Sequence, residues 1–215
     1  MDQFVSHPLI KPNSMQHRLY QGNILNQAMK GNMLVVLPTG MGKTPVAILL
    51  AAYRLEKFPD SKVLVLAPTR PLVSQHYHSF VKFMNIDPGR FCVVTGLVAP
   101  DEREKLYKGK QLIFATPQTI NHDIENGRID MSGFSLLVTD EAHHSVGGYS
   151  YPFVAKTYLQ RAAHPRLLGL TASPGGNRQK IREICDNLGI EAVEIRTEQD
   201  EDVAPYVKEK EAGWE

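Results

Sequence analysis

Leu37-Pro38-Thr39-Gly40-Met41-Gly42-Lys43-Thr44 stands where an aliphatic run ends and a helical pattern begins, the context a phosphate-binding loop needs. Glycines at 40 and 42 let backbone N–H groups turn inward around phosphate oxygens, and the following helix N-terminus adds partial positive charge. In such a loop Pro38, Thr39, Gly40, Met41 and Gly42 line the phosphates, Lys43 reaches the β- and γ-phosphates, and the Thr44 hydroxyl ligates Mg²⁺. The general pattern carries a glycine where this chain has Leu37, so the loop departs from that pattern at its first position. The competing reading is an ordinary glycine turn before a helix.

A second chemical group is Leu136-Leu137-Val138-Thr139-Asp140-Glu141-Ala142-His143, an aliphatic strand that delivers two adjacent carboxylates at its end. Asp140 is placed to hold Mg²⁺, through water or directly, and Glu141 to orient and partly deprotonate the water that attacks the γ-phosphate. Two neighbouring carboxylates stay ionised together where a cation offsets their repulsion, so the pair itself argues for a metal. A solvated Asp-Glu turn is the bland alternative. Thr171-Ala172-Ser173 follows another aliphatic run and puts small hydroxyls at the same edge of a parallel sheet, although capping hydroxyls in a turn would look alike. His76 and His78 diverge by about 200° on a helix and have no cysteine near them, as is true of His143 and His144. Zinc is therefore not expected, and every histidine except His143 reads as an ordinary surface or core residue.

Positioning these groups requires a regular frame. Strands are expected at Met33–Leu37, Lys62–Ala67, Phe91–Thr95, Gln111–Ala115, Leu136–Thr139, Arg166–Leu170 and Ala192–Ile195. Each is a continuous Val/Leu/Ile run, the pattern of strands buried on both faces. Helical spacing fills the intervals at Lys43–Phe58, Pro71–Asn85, Pro117–Asn126, Tyr149–Ala162 and Asn177–Leu188. Ser14–Lys30 reads as one amphipathic helix with Ser14 as its cap. The alternation predicts a doubly wound α/β fold, a mainly parallel sheet with helices on both faces. The expected organisation is an N-terminal segment (1–30), a nucleotide-binding domain (31–198) and a polar linker (199–215).

With 215 residues and a net charge of +1, the chain has room for one large domain, and bulk charge does not point to nucleic acid. Specific loops, or a further domain, would have to supply any such contact. Cys92 and Cys185 are isolated and read as reduced thiols. No apolar run reaches the ~20 residues of a membrane span, and Met-Asp-Gln-Phe lacks the basic-then-apolar start of a signal peptide. A cytoplasmic setting without membrane association is expected.

Taken together, these segments resemble superfamily 2 helicases of the DEAH-box type, in the usual order over residues 10–200. The phosphate loop corresponds to motif I, Asp140 to His143 to motif II, and Thr171 to Ser173 to motif III. Ala67-Pro68-Thr69-Arg70-Pro71-Leu72-Val73, Thr95-Gly96 and Ala115-Thr116-Pro117-Gln118 resemble the motifs that contact nucleic acid. Arg18-Leu19-Tyr20-Gln21 resembles a Q-type motif. A narrower likeness, carried by Asp-Glu-Ala-His-His-x-Val-Gly-x-Tyr-x-Tyr (140–151) and Glu-Asp-x-x-Pro-Tyr-Val (201–207), points to the archaeal Hef and Fanconi anaemia group M branch. RIG-I-like and Dicer helicases are cousins that usually carry Cys at the place of Ala142.

The resemblance implies a RecA-like domain that binds ATP and Mg²⁺, with Gln21 at the adenine edge and Arg18 among the ATP-binding residues. It implies backbone contacts to DNA from Thr69, Arg70, Thr95, Gly96, Thr116, Pro117 and Gln118, and coupling through His143, Thr171 and Ser173. The expected partner is branched or forked DNA, with an ATP-dependent double-stranded-RNA sensor as the alternative. Cellular placement would be the archaeal nucleoid or a eukaryotic nucleus. The resemblance also implies a second RecA-like domain and a helical insertion that this chain lacks, and therefore very slow hydrolysis by this chain alone. A P-loop phosphotransferase would instead need a lid with its own arginines, and no segment has that character.

Overall fold

The computed structural model describes residues 3–38, 40–172 and 178–207. Among them, seven strands form one sheet: β1 (Met33–Val36), β2 (Lys62–Leu66), β3 (Phe91–Val94), β4 (Leu112–Ala115), β5 (Phe134–Thr139), β6 (Leu167–Thr171) and β7 (Ala192–Ile195). Their order is β3-β4-β2-β5-β6-β1-β7, and every pairing is parallel. Parallel pairing brings the C-terminal ends of the strands to one edge, so the segments that follow β1, β2, β3, β4, β5 and β6 share a rim.

The connecting helices are α1 (Leu19–Ala28), α2 (Lys43–Lys57), α3 (Arg70–Phe83), α4 (Pro100–Gly109), α5 (Pro117–Glu125), α6 (Ser150–Arg161) and α7 (Arg178–Leu188). Side chains alternate along each strand, and the core divides accordingly. Val35, Val65, Phe114 and Val138 join the buried residues of α1, α2 and α3. Leu34, Leu64, Ile113 and Leu137 join those of α5, α6 and α7, together with Tyr107 of α4. Five central strands are buried along their whole length or nearly so, which is why their sequences run apolar without a break. β7 lies at the margin and is mostly exposed.

Three features depart from the sequence expectations. The helix expected over Ser14–Lys30 is confined to Leu19–Ala28, with Arg18 as an extended N-cap. Residues 15–17 are engaged elsewhere: Val5 N donates to Met15 O, His17 N donates to Gln3 O, and Phe4 bridges Gln16 antiparallel. Ser14 caps no helix, since its hydroxyl donates to Lys11 O. The second departure is α4, which the sequence reading passed over. It buries only Arg103 and Tyr107, so its Pro-Asp-Glu-Arg-Glu-Lys run offers no apolar stripe to read. The third is the polar tail, whose described part docks on α1. Val203 is fully buried, Tyr206 Oη accepts from Leu19 N at 3.2 Å, and Asn23 Nδ2 donates to Asp202 at 3.3 Å.

Candidate functional site

The rim of the sheet collects most of the chemistry-bearing residues. After β1 the chain turns through Pro38 and Gly40 to Gly42, and both glycines adopt left-handed backbone, φ 82° and 84°. That conformation strains any residue with a Cβ. At Gly42 a Cβ would also come within 2.5 Å of Gln21 Nε2. α2 starts at Lys43 with Gly42 as N-cap, no side-chain cap and no acidic residue in its first turn. Among the described residues no side chain caps its leading N–H groups, and a phosphate oxygen is an acceptor they suit. The loop is braced from α1: Tyr20 Oη donates to Met41 O at 2.5 Å, and Gln21 Nε2 donates to Gly42 O at 3.4 Å. Thr39 lies outside the described residues.

Gln21, expected at the adenine edge, and Arg18, expected to bind ATP, line a hollow beside this loop together with Phe4, Ser14, Gly40, Gly42 and Pro45. Arg18 leans over the Tyr206 ring, 5.1 Å from its centroid, and donates to Tyr20 Oη at 3.3 Å. Gln21 is almost wholly buried, so its side chain holds the loop as well as facing the hollow.

β5 delivers Asp140 to the same rim. Its amide donates to Leu66 O at 2.8 Å, its carbonyl accepts from Tyr151 Oη at 2.6 Å, and its Oδ2 lies 2.6 Å from His76 Nε2. Burial pushes the Asp140 carboxyl up. The hydrogen bond and charge of His76, the Glu141 amide and the Lys43 ammonium outweigh it, so the group sits below the usual carboxylate range. Glu141 occupies the left-handed region at φ 52°, which costs a non-glycine residue about 1–3 kcal/mol and marks a side chain held for a purpose. Burial and the charges of Asp140 and Glu141 raise the Tyr151 phenol far above its usual value, so it stays a donor.

His143 follows on a short 3₁₀ turn. Its Nδ1 is 3.1 Å from Thr171 Oγ1, and its Nε2 is 3.4 Å from Glu141 Oε2. Burial lowers the imidazole's pKa; the nearby Glu141 carboxylate opposes this, but His144, Lys180 and Lys43 add to the lowering. His143 and Thr171, both expected to take part in coupling, thus touch one another. Ser173 lies outside the described residues.

A separate groove runs along the rim over β2, β3 and β4. Thr69, Arg70, Thr95, Gly96, Thr116 and Gln118 line it, with Pro68, Pro71 and Leu97. Of the residues expected to touch nucleic acid, Pro117 alone does not line it; it is buried at the first turn of α5. Two braces hold the groove's walls. Thr69 Oγ1 caps α3 by accepting from Leu72 N at 3.4 Å. Arg103 donates to Val98 O at 2.7 Å, behind Leu97, and also binds Asp123 of α5 through two nitrogens, at 2.8 and 2.7 Å.

The sequence reading assigned no role to His76, Tyr20 or Tyr151. His76 was discoverable as a polar residue inside the apolar stripe of Val73 and Phe80. The two tyrosines lay within quoted motifs, but only the fold shows that their hydroxyls reach backbone carbonyls of the site.

The donor set suits a nucleoside triphosphate with magnesium. Mg²⁺ takes few protein ligands and shares the rest with phosphates and water, so one carboxylate and one hydroxyl beside an open phosphate cradle are sufficient. Among the described residues no group of three or more His, Cys, Asp or Glu converges as a dedicated metal cage. No helix is long and apolar enough to cross a membrane, among the same residues.

Comparison with known proteins agrees with this geometry. A Methanocaldococcus jannaschii protein, provisionally named an ATP-dependent RNA helicase, is 51% identical over 95% of this chain and 26% of its own length. The ATP-dependent DNA helicase fml1 of Schizosaccharomyces pombe is 37% identical over 100% of this chain and 26% of its own. The chain thus spans about a quarter of the length of these relatives. The crystal structure of the Pyrococcus furiosus Hef helicase domain superposes with a TM-score of 0.87 at 46% identity, covering 92% of this chain and 42% of that one. Residues 18–181 match the DEAD/DEAH box helicase family. That span runs from the Arg18 hollow through the glycine loop, the groove and Asp140 to Thr171, and the chain belongs to the DEAD/DEAH box helicase family.

Proposed function

We propose that this chain is the ATP-binding first motor domain of a superfamily 2 helicase or translocase that acts on branched or forked DNA. One observation carries the reading: the glycine cradle, the Asp140–Glu141 pair and the groove lined by Thr69, Arg70 and Thr116 share one rim of a single sheet. A motor needs that adjacency, because nucleotide state must reach the strand through a short, stiff path.

Lys43 reaches the β- and γ-phosphates, and the first-turn amides of α2 hold the phosphate oxygens. Thr44 and Asp140 would hold magnesium, which would supply positive charge to offset that of the phosphates. Glu141 takes a proton from the attacking water. Arg18 and Gln21 face the base. His143 and Thr171, in contact with one another, sense which nucleotide is bound and pass that state to the second motor domain. The groove binds the backbone of a strand without reading its sequence. Residues 199–207 lead from this domain toward the insertion that the relatives' greater length has room for.

DNA is favoured by the names of the fml1 and MPH1 helicases, which resemble this chain at 37% identity. RNA is the second reading, favoured by the name of the Methanocaldococcus relative. Competition between a forked DNA and a duplex RNA of equal length, in non-hydrolysable ATP and magnesium, separates them. Preferential retention of the fork is expected; preferential retention of the RNA would reverse the substrate assignment.

A further inference from the structure

His76 sits on α3 where the helix's own pattern asks for a hydrophobe. Val73, three residues before, and Phe80, four after, both face the core, and His76 is buried with them at 5% exposure. Its Nε2 is 2.6 Å from Asp140 Oδ2. A carboxylate can only accept, so Nε2 is the proton donor. Nδ1 is buried with no partner. An apolar side chain of similar size would avoid that unsatisfied nitrogen, so packing alone does not account for a histidine here.

The Asp140 backbone is fixed at both ends, by Leu66 O and by Tyr151 Oη. Those bonds set the peptide, while the carboxylate itself is held by the His76 ring and the Glu141 amide. Among the described residues, His76 is the one side chain hydrogen-bonded to that carboxylate. It does so from a 14-residue helix whose cap and first residues, Thr69 and Arg70, line the groove.

We propose that His76 is a positioning residue for metal binding, holding the Asp140 carboxylate in the one orientation that receives magnesium. Outer partners of this kind orient a ligand and sharpen its affinity without touching the ion. The inference rests on the reading of Asp140 as a magnesium holder.

The test uses the 215-residue chain and a fluorescent ATP analogue, titrated with magnesium chloride and again with EDTA. In His76→Leu, the gain in nucleotide affinity that magnesium confers should fall by about 10–100-fold. Affinity in EDTA should stay within about 3-fold of wild type, because the cradle of α2 is untouched, whereas a general packing defect would weaken both titrations together. His76→Gln keeps a side-chain N–H donor and should recover most of the magnesium gain. His76→Asn, too short to reach Asp140, should repeat the leucine result and replaces it should that variant fail to fold by circular dichroism. An unchanged magnesium gain in the leucine or asparagine variant overturns the proposal, as does equal loss in EDTA. A wild-type chain indifferent to magnesium would instead overturn the magnesium site itself, and the inference with it.

Discussion

Asp140 and Glu141 are neighbours in sequence yet sit in different environments, and the proposed division of roles between them follows that difference. Asp140 is buried, hydrogen-bonded to His76 and held below the usual carboxylate range. Glu141 turns out of the strand through a left-handed residue and stands near His143. In the proposed reading the first holds the cation and the second orients the attacking water. Lys43 lies close enough to Asp140 for its charge to lower that carboxyl, and in the proposed reading it also reaches the phosphates. Lys43→Ala is therefore expected to abolish nucleotide binding. Glu141→Gln should bind within about 3-fold of wild type while slowing turnover at least ~100-fold, the usual size of a general-base effect. Calorimetric titration with ATP and a phosphate-release assay read the two effects separately. Loss of binding in Glu141→Gln would show that the carboxylates do not divide their roles in this way. At this scale the sequence told much: the glycine spacing and the adjacent carboxylates are local patterns. It could not show His76 meeting Asp140 across 64 positions, because no spacing rule links a helix residue to a strand end that distant.

Between elements, a buried polar cluster forms around Asp123. Its carboxylate is fully buried and bound by Arg103, Tyr107 and Arg128. Arg103 also holds Val98 O, so α4, α5 and the loop that carries Gly96 and Leu97 are clamped as one wall of the groove. Burial raises the Asp123 carboxyl, and the three hydrogen-bonding partners outweigh it, leaving a folded value below the usual one. A depressed carboxyl contributes its full stability above the unfolded pKa and loses it as pH falls through the folded value. Asp123→Asn should therefore cost about 3–5 kcal/mol at neutral pH, the usual loss on breaking a buried pair. The gap to wild type should narrow as pH drops below the ordinary carboxylate range. Urea unfolding at several pH values checks this, and a gap that does not change with pH would contradict it. The sequence reading missed α4 because a helix whose buried face is Arg103 and Tyr107 carries no apolar period. It overextended α1 because residues 15–17 looked helical but pair with residues 3–5 instead. In both places tertiary partners overrode the local pattern.

At the scale of the whole molecule, the sheet was legible because parallel strands buried on two faces write themselves as unbroken aliphatic runs. Six of the seven groove residues expected from motif likeness do line one groove, since parallel strands bring their C-terminal loops to one rim. The ATP site formed by this rim is one-sided in the proposed reading: cradle, carboxylates and His143 face a second motor domain that supplies arginines to the transition state. Such an arginine is worth roughly 10³–10⁵ in turnover. The most direct test is steady-state ATP turnover by residues 1–215, measured with and without saturating forked DNA. Very slow hydrolysis that the fork barely changes is the expected result. Rapid turnover that forked DNA strongly stimulates would contradict it, because this chain would then hold a complete catalytic site.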